Sequence, residues 1–248
     1  MIKLRILALI AARGGSKRVP GKNVRLLGGS PLIVWSIDVA KNIPDICDIL
    51  VSTDAPDIAE IARRAGASVP WLRPAELSSD LASSAEVCVH ALDWYEEACG
   101  KVDGLLLLQP TSPFRSRDTV LRGIELFRAN QLRTVLGVSP AASHPLWCVQ
   151  VNGSSIRPFI EGDGMSRRSQ DLPPAYALNG AFYLIAPEEL RSRGSFRSEA
   201  AIPLIIADPA ESIDIDTEWD WKLAQALLAS NSSNSSNSPI RNDENYLC

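Results

Sequence analysis

Ile6-Leu-Ala-Leu-Ile-Ala-Ala-Arg13-Gly-Gly-Ser-Lys-Arg-Val-Pro-Gly-Lys-Asn23 is the stretch from which the rest of the chain can be ordered. An apolar run over 6–12 passes directly into paired glycines and four cations, Arg13, Lys17, Arg18 and Lys22. Lys3 and Arg5 ahead of the run give it a superficial likeness to a short signal peptide, but no small-residue cleavage pattern follows. We therefore read it as a buried first strand. Gly14 and Gly15 allow close backbone approach, and exposed amides in such a loop donate to anionic oxygens. The loop is not a Walker A motif: Ser16 stands where the first glycine belongs, five places before Gly21, and Asn23 replaces the final Ser or Thr. The glycine spacing of a dinucleotide fingerprint is also absent. Open parallel sheets bind ligands beyond the carboxyl ends of their strands, where this loop falls, and it reads as a triphosphate cradle.

Working outward, short β-branched or leucine-rich runs alternate with amphipathic stretches, the pattern of strands joined by crossover helices. Strands are expected over 5–11, 48–52, 104–108 and 134–138. The run Leu105 to Leu108 lacks polar alternation, as expected of a central strand covered on both faces. Helices are expected over 31–41, with Ser30 as N-cap and Pro31 at the first helical position, and over 56–65, capped by Asp54 and stopped by Gly66. Others should span 84–98, 117–130 and 217–228, the last opening with Thr217 and Asp220 at capping-box spacing. The implied architecture is a doubly wound α/β domain with a mostly parallel sheet. A Pro-, Ser- and Gly-rich stretch at about 139–177, with an extended piece over 146–151, interrupts the rhythm and reads as an excursion from the sheet. We take 1–229 as one domain. The repeat of Asn and Ser from Ser230 to Ser238 lacks the apolar content to offset ordering entropy, and 230–248 reads as a flexible tail.

Composition narrows the function classes. The 248 residues are 46% hydrophobic and 22% charged, ordinary for a folded chain. The formal net charge of −4 provides no global positive field for a nucleic-acid backbone or an anionic membrane, so an anionic ligand must meet local cations. No apolar run approaches the ~18 residues needed to cross a bilayer. The scattered cysteines Cys47, Cys88, Cys99, Cys148 and Cys248 show no CxxC spacing and fit a reducing cytoplasm. His90 and His144 have no partners at metal-ligand spacing, which speaks against a zinc hydrolase, and no GxSxG elbow is present. His144 is expected to shape a turn and His90 to pack.

A second segment, Ser212-Ile-Asp-Ile-Asp-Thr217, would project Asp214 and Asp216 from one face if extended. Two hard oxygen donors with no His or Cys nearby suit Mg²⁺, which is commonly held by one or two carboxylates plus substrate phosphates.

RGGSKRVPGKN, VSTD (51–54), RPAELSSD (73–80), LLQPTSPFR (107–115), RRSQDLP (167–173), NGAFY (179–183) and SIDIDT occur in this order. Together they closely resemble the acylneuraminate cytidylyltransferases, also called CMP-sialic acid synthetases, across about 5–228. The resemblance implies a nucleotide-diphospho-sugar transferase-like fold and transfer of CMP from CTP to the anomeric hydroxyl of an acidic nine-carbon sugar, with Mg²⁺ as cofactor. It also implies a homodimer whose protruding segment, here 139–177, reaches the neighbouring site.

By motif matching, the resemblance assigns Arg13, Ser16, Lys17, Lys22 and Asn23 to the triphosphate or ribose, with Arg13 and Lys22 opposing developing charge. Arg73, Ala82 and Ser84 match the cytosine reader, Asp214 and Asp216 the metal site, and Gln109 and Asn179 the sugar side. Arg168, with Arg167 as neighbouring rival, matches an arginine supplied across the dimer; its planar fork suits a carboxylate. Two positions depart from the sialate pattern: Trp147 where a lysine commonly follows HPL, and Ala177 where an arginine lies two residues before NG. Losing these cations makes a related nonulosonate such as legionaminate a candidate beside N-acetylneuraminate. An eight-carbon keto-deoxy acceptor and a non-catalytic CTP-binding module are the alternatives.

Overall fold

The computed structural model describes residues 3–235. Its strands are β1 (Ile6–Ala11), β2 (Leu26–Leu27), β3 (Ser30–Pro31), β4 (Ile46–Ser52), β5 (Gly104–Leu107), β6 (Val135–Pro140), β7 (Val149–Asn152), β8 (Ser155–Pro158), β9 (Tyr176–Ile185) and β10 (Ile202–Ile205). Six form the main sheet in the order β10-β6-β9-β5-β1-β4, while β2-β3 and β7-β8 are separate two-stranded ribbons. Strand β1 is parallel to both β4 and β5, and β10 is parallel to β6. Between these groups β9 runs antiparallel to β5 and β6, so the sheet is mixed.

The helices are α1 (Leu32–Ala40), α2 (Pro56–Arg64), α3 (Ser84–Cys99), α4 (Arg117–Ala129), α5 (Pro187–Arg193) and α6 (Glu218–Ser235). Side-chain alternation along β1 decides how they layer. Ile6, Ala8 and Ile10 join a core with residues of α1, α2 and α4, whereas Leu7 and Leu9 face α3 and α5. A buried strand flanked by helices on both faces is the three-layer α/β solution, and β1 has no polar alternation because neither face meets water. A third apolar cluster matters most for the site. Val19 of the basic loop, Ile215, and Trp221 and Ala224 of α6 pack together with Leu27 and Leu32, bringing segments remote in sequence against each other.

Expected and observed elements differ in instructive places. Ser30 does not cap α1: Ser30–Pro31 pairs with Leu26–Leu27, and Pro31 precedes the helix without a side-chain cap. Asp54 does not cap α2 either, because its carboxylate accepts from the Gly14 N–H at 2.8 Å; the cap position belongs to Ala55. The box at α6 forms as expected, with Asp220 Oδ2 accepting from the Thr217 N–H at 2.7 Å and Thr217 Oγ1 from the Asp220 N–H at 3.3 Å. That helix continues to Ser235, past the expected stop at 228 and into the Asn/Ser repeat; the rest of the proposed tail lies outside the described residues.

Strand β9 lies outside the expected strands, and it contains the turn-forming pair Asn179-Gly180. Here the pair occupies a register irregularity between Leu136 and Val138 of β6, where a bulge accommodates turn-forming residues inside a strand. Between β6 and β9 the chain leaves the sheet for the β7-β8 hairpin, in place of the single extended piece expected at 146–151. The excursion carries exposed Val151, Ile156 and Phe159. No helix among the described residues is long and apolar enough to cross a membrane.

Candidate active site

The site lies beyond the carboxyl ends of β1, β4 and β5, where connections leave β1 and its two parallel neighbours in opposite directions. This is the switch point at which open α/β sheets bind ligands. The loop after β1 is held by side chains that engage its backbone. Asn23 Nδ2 donates to the Arg13 carbonyl at 2.9 Å, Gly14 N–H reaches Asp54, and Gly21 adopts φ +62°. A Cβ on Gly14 would stand 2.9 Å from the Ala55 Cβ, so the approach of this loop to the β4-α2 connection requires glycine.

The loop rims an open cleft of about 480 Å³ lined by Arg13, Ser16, Lys17, Arg18, Lys22 and Asn23, by Arg73, Asp80, Ala82 and Ser84 opposite, and by Pro110, Thr111 and Asp216. All eight residues expected at the nucleotide therefore meet in one cavity, and Asp216 joins them. Its cations are already matched by carboxylates. Arg13 Nη1 lies 2.6 Å from Asp80, which Lys17 also contacts; Arg18 Nη2 lies 2.8 Å from Asp216 Oδ2, and Lys22 Nζ lies 3.4 Å from its Oδ1. The hydrogen bond from Lys17, then that from Arg13, holds the Asp80 carboxyl below its usual range. Lys22 is largely covered and donates to the Ile215 carbonyl at 2.7 Å, tying the loop to the segment that carries Asp216.

Arg73 is buried beside the cleft. Its Nε donates to Ser52 Oγ at 3.1 Å and its Nη2 to the Ser52 carbonyl; burial pulls its pKa down, opposed by Asp54. Ser84 opens α3, whose N-terminus is fixed by a reciprocal box between Ser83 and Glu86.

A second pocket of about 300 Å³ shares Ser84 with the first and is lined by Gln109, Tyr183, Phe196 and Arg197, among others. Tyr183 rises from β9 and meets Phe196 edge-on at 5.7 Å between ring centroids. Burial chiefly pushes the Tyr183 phenol up, with Arg197 opposing and Asp214 reinforcing the shift. Gln109 follows β5, its Oε1 2.6 Å from where a Cβ on Gly180 would stand.

The remaining expected residues sit elsewhere. Asn179 is buried with its amide engaged: Nδ2 donates to Ser139 Oγ at 2.8 Å and to the Glu211 carbonyl at 3.2 Å, while Oδ1 accepts from the Ala181 N–H at 2.8 Å. It joins β6 and β9 to the segment leading to the aspartates. Arg168 is exposed on the excursion, pairs with Asp171 at 2.9 Å and lines neither pocket of its own chain; Arg167 donates to the Asp171 carbonyl. Asp214 is exposed, Ile215 buried and Asp216 partly covered, so the two aspartates share a side, but only Asp216 lines the cleft. No cluster of three His, Cys, Asp or Glu able to hold a metal occurs among the described residues. One cleft carboxylate beside a polycationic loop fits a Mg²⁺ ion that takes its other ligands from phosphates and water. His144 shapes its turn through a 3.2 Å bond from the Leu146 N–H, and His90 packs edge-on to Trp71 at 5.2 Å.

Sequence reasoning missed Asp80, Tyr183, Arg197 and the buried Arg115. Asp80, Tyr183 and Arg115 lie within the motifs above, but their roles depend on partners distant in sequence. Arg115 donates to the carbonyls of Ala181 and Gln109 and to Ser36, and burial pulls its pKa down to about 9, opposed by Glu211. Its place two residues after Pro113, at the end of the motif LLQPTSPFR, is the available signal.

Residues 7–140 match the family model described as cytidylyltransferase. A CMP-N,N'-diacetyllegionaminic acid synthase of Legionella pneumophila is 39% identical over 230 residues, 92% of this chain and 98% of that protein. A pseudaminic acid cytidylyltransferase of Campylobacter jejuni is 30% identical over 227 residues, 91% of this chain and 97% of its own. Among solved structures, CMP:2-keto-3-deoxy-manno-octonic acid synthetase complexed with CTP superposes with a TM-score of 0.68 at 17% identity, covering 92% of this chain and 99% of that one, a likeness of fold.

Proposed function

The chain belongs to the cytidylyltransferase family, and on that premise we propose that it transfers CMP from CTP to the anomeric hydroxyl of a nonulosonic acid, releasing pyrophosphate. One observation carries the reading: four cations of a strand-end loop converge with Arg73 and Asp216 on a cleft that adjoins a second, mixed polar and aromatic pocket through Ser84. The first suits a nucleoside triphosphate and the second its acceptor. Within the acceptor class, legionaminic acid is favoured by the Legionella relative and by Trp147 and Ala177, which replace cations with uncharged side chains.

The acceptor hydroxyl oxygen attacks the α-phosphorus in line, its proton passing to water, while the bond to the bridging oxygen of pyrophosphate breaks. Little covalent work is left to the protein, so positioning and charge stabilisation dominate. Arg13 and Lys22 oppose the charge developing on the phosphates, Lys17, Ser16 and Asn23 hold the triphosphate and ribose, and Arg73, Ala82 and Ser84 read cytosine. Gln109 orients the acceptor and Asn179 supports that side of the site. Asp216, with Asp214 as candidate companion, would hold Mg²⁺ against the triphosphate; bound there, the ion neutralises phosphate charge. The exposed apolar excursion supports a homodimer in which Arg168 enters the neighbouring pocket to meet the sugar carboxylate.

The test is pyrophosphate release from CTP and Mg²⁺ with a panel of acidic sugars. Turnover with nonulosonic acids is expected. Release with an eight-carbon keto-deoxy acid alone overturns the acceptor class, and CTP binding without turnover on any acceptor returns the non-catalytic module.

A further inference from the structure

Among the described residues, Arg197 is the one arginine whose guanidinium has neither a hydrogen-bond nor an ion-pair partner. Even the exposed ones are engaged, as with Arg64 to Glu60, Arg133 to the Ala200 carbonyl, Arg157 to Gln150 and Arg193 to Glu189. Arg197 makes only a backbone bond, its N–H donating to Ser195 Oγ at 3.1 Å. It is also the single charged side chain lining the second pocket. The fold delivers it there on purpose-built backbone: α5 ends at Gly194 in the left-handed region, φ +63°, and the chain turns so that Phe196 is buried against Tyr183 and Arg197 stands at the rim.

Its position along the pocket indicates which part of an acceptor it meets. The second pocket joins the nucleotide cleft at Ser84, so the reacting end of an acceptor points that way. Arg197 instead borders a shallow, largely apolar depression with Leu136, Leu178, Ser198 and Glu199, which has no residue in common with the nucleotide cleft. A guanidinium offers donors only, and here it stands between aromatic edges and a small apolar seat. An amide carbonyl followed by a methyl group is the chemistry that uses both.

We propose that Arg197 is a specificity-determining residue that donates to the carbonyl of an acylamino substituent at the end of the acceptor remote from the reacting hydroxyl, with the acyl methyl against Leu136 and Leu178. The assignment rests on the nonulosonic acid reading above. Under it, a free amine at the same position loses the contact, because it lacks the carbonyl that the guanidinium donates to.

The experiment compares N,N′-diacetyllegionaminic acid with its derivative carrying a free amine in place of the distal acetamido group. Acceptor and CTP kinetics are measured for the wild type, Arg197→Met and Arg197→Lys. Arg197→Met should raise the acceptor KM about tenfold or more and cut the wild type's preference for the acetylated sugar by a similar factor. The KM for CTP and the melting temperature should stay unchanged, and Arg197→Lys should recover part of the loss. Undiminished preference in an active Arg197→Met overturns this assignment alone, as does a parallel rise in the KM for CTP. A wild type that turns over no nonulosonic acid overturns the parent reading and this one with it.

Discussion

Replacing Gly180 with alanine separates folding from acceptor handling. The new Cβ would stand 2.6 Å from Gln109 Oε1, about 0.8 Å inside the 3.4 Å at which ordinary contact begins, and 3.2 Å from Ser112 Oγ. Gly180 is not in the left-handed region, so alanine brings no backbone strain, and the crowded atom is the free end of a side chain that can swing away. Stability should change by under ~1 kcal/mol, since restricting the unfolded chain partly offsets the contact. Function should not be spared. A displacement of roughly 1 Å at a positioning group can cost ~10²-fold, so an amide pushed back by most of an ångström should lower kcat/KM for the acceptor by about thirtyfold. Pyrophosphate release measured against acceptor and CTP separately should show the KM for CTP within about twofold of wild type, and thermal melting should be unchanged. Adding Gly180→Ala to Gln109→Ala should cause no further loss, because the displaced group is then gone. Normal acceptor kinetics in a well-folded Gly180→Ala would refute the claim that the Gln109 amide orients the acceptor.

Asp216→Asn should reduce kcat about 10²- to 10³-fold while circular dichroism and melting remain close to wild type, since the residue is partly exposed; full turnover would remove Asp216 from the metal assignment. Arg115→Met leaves the carbonyls of Ala181 and Gln109 without their buried donor and should cost about 3 kcal/mol, read as a lower urea midpoint at constant m-value. Burial pushes the Glu96 carboxyl up, but hydrogen bonds from Arg191, Lys101 and the Val102 N–H outweigh it and hold it below its usual 4.5. A depressed carboxyl contributes stability that is complete above the unfolded value and fades as pH falls through the folded one. Glu96→Gln should therefore cost about 1–2 kcal/mol at pH 7, with the gap to wild type closing toward pH 3 in denaturant titrations.

What was legible in the sequence was whatever local pattern determines. The apolar run of β1 entering a cationic loop marks the first strand, because a strand covered on both faces cannot be polar, and the loop residues that rim one side of the cleft follow directly from it. What escaped depended on partners remote along the chain. Asp54 has the right chemistry to cap α2, yet Gly14 claims its carboxylate. Asn179-Gly180 has turn chemistry, yet β6 pairs with the residues before and after it and keeps it in a bulged strand. Asp80 is separated from Arg13 by 67 positions, and Arg197 reaches the second pocket only because a short helix stops at Gly194. Nothing in the spacing of these residues announces such encounters.

Asp80 and Asp216 have one further consequence for how a nucleotide is received. By pairing with Arg13, Lys17, Arg18 and Lys22, they serve as internal counter-ions, so an arriving polyanion trades places with anions already lodged there. Association then resembles ion exchange more than capture by a bare positive field. Its sensitivity to added salt should be shallower than four unpaired cations would impose.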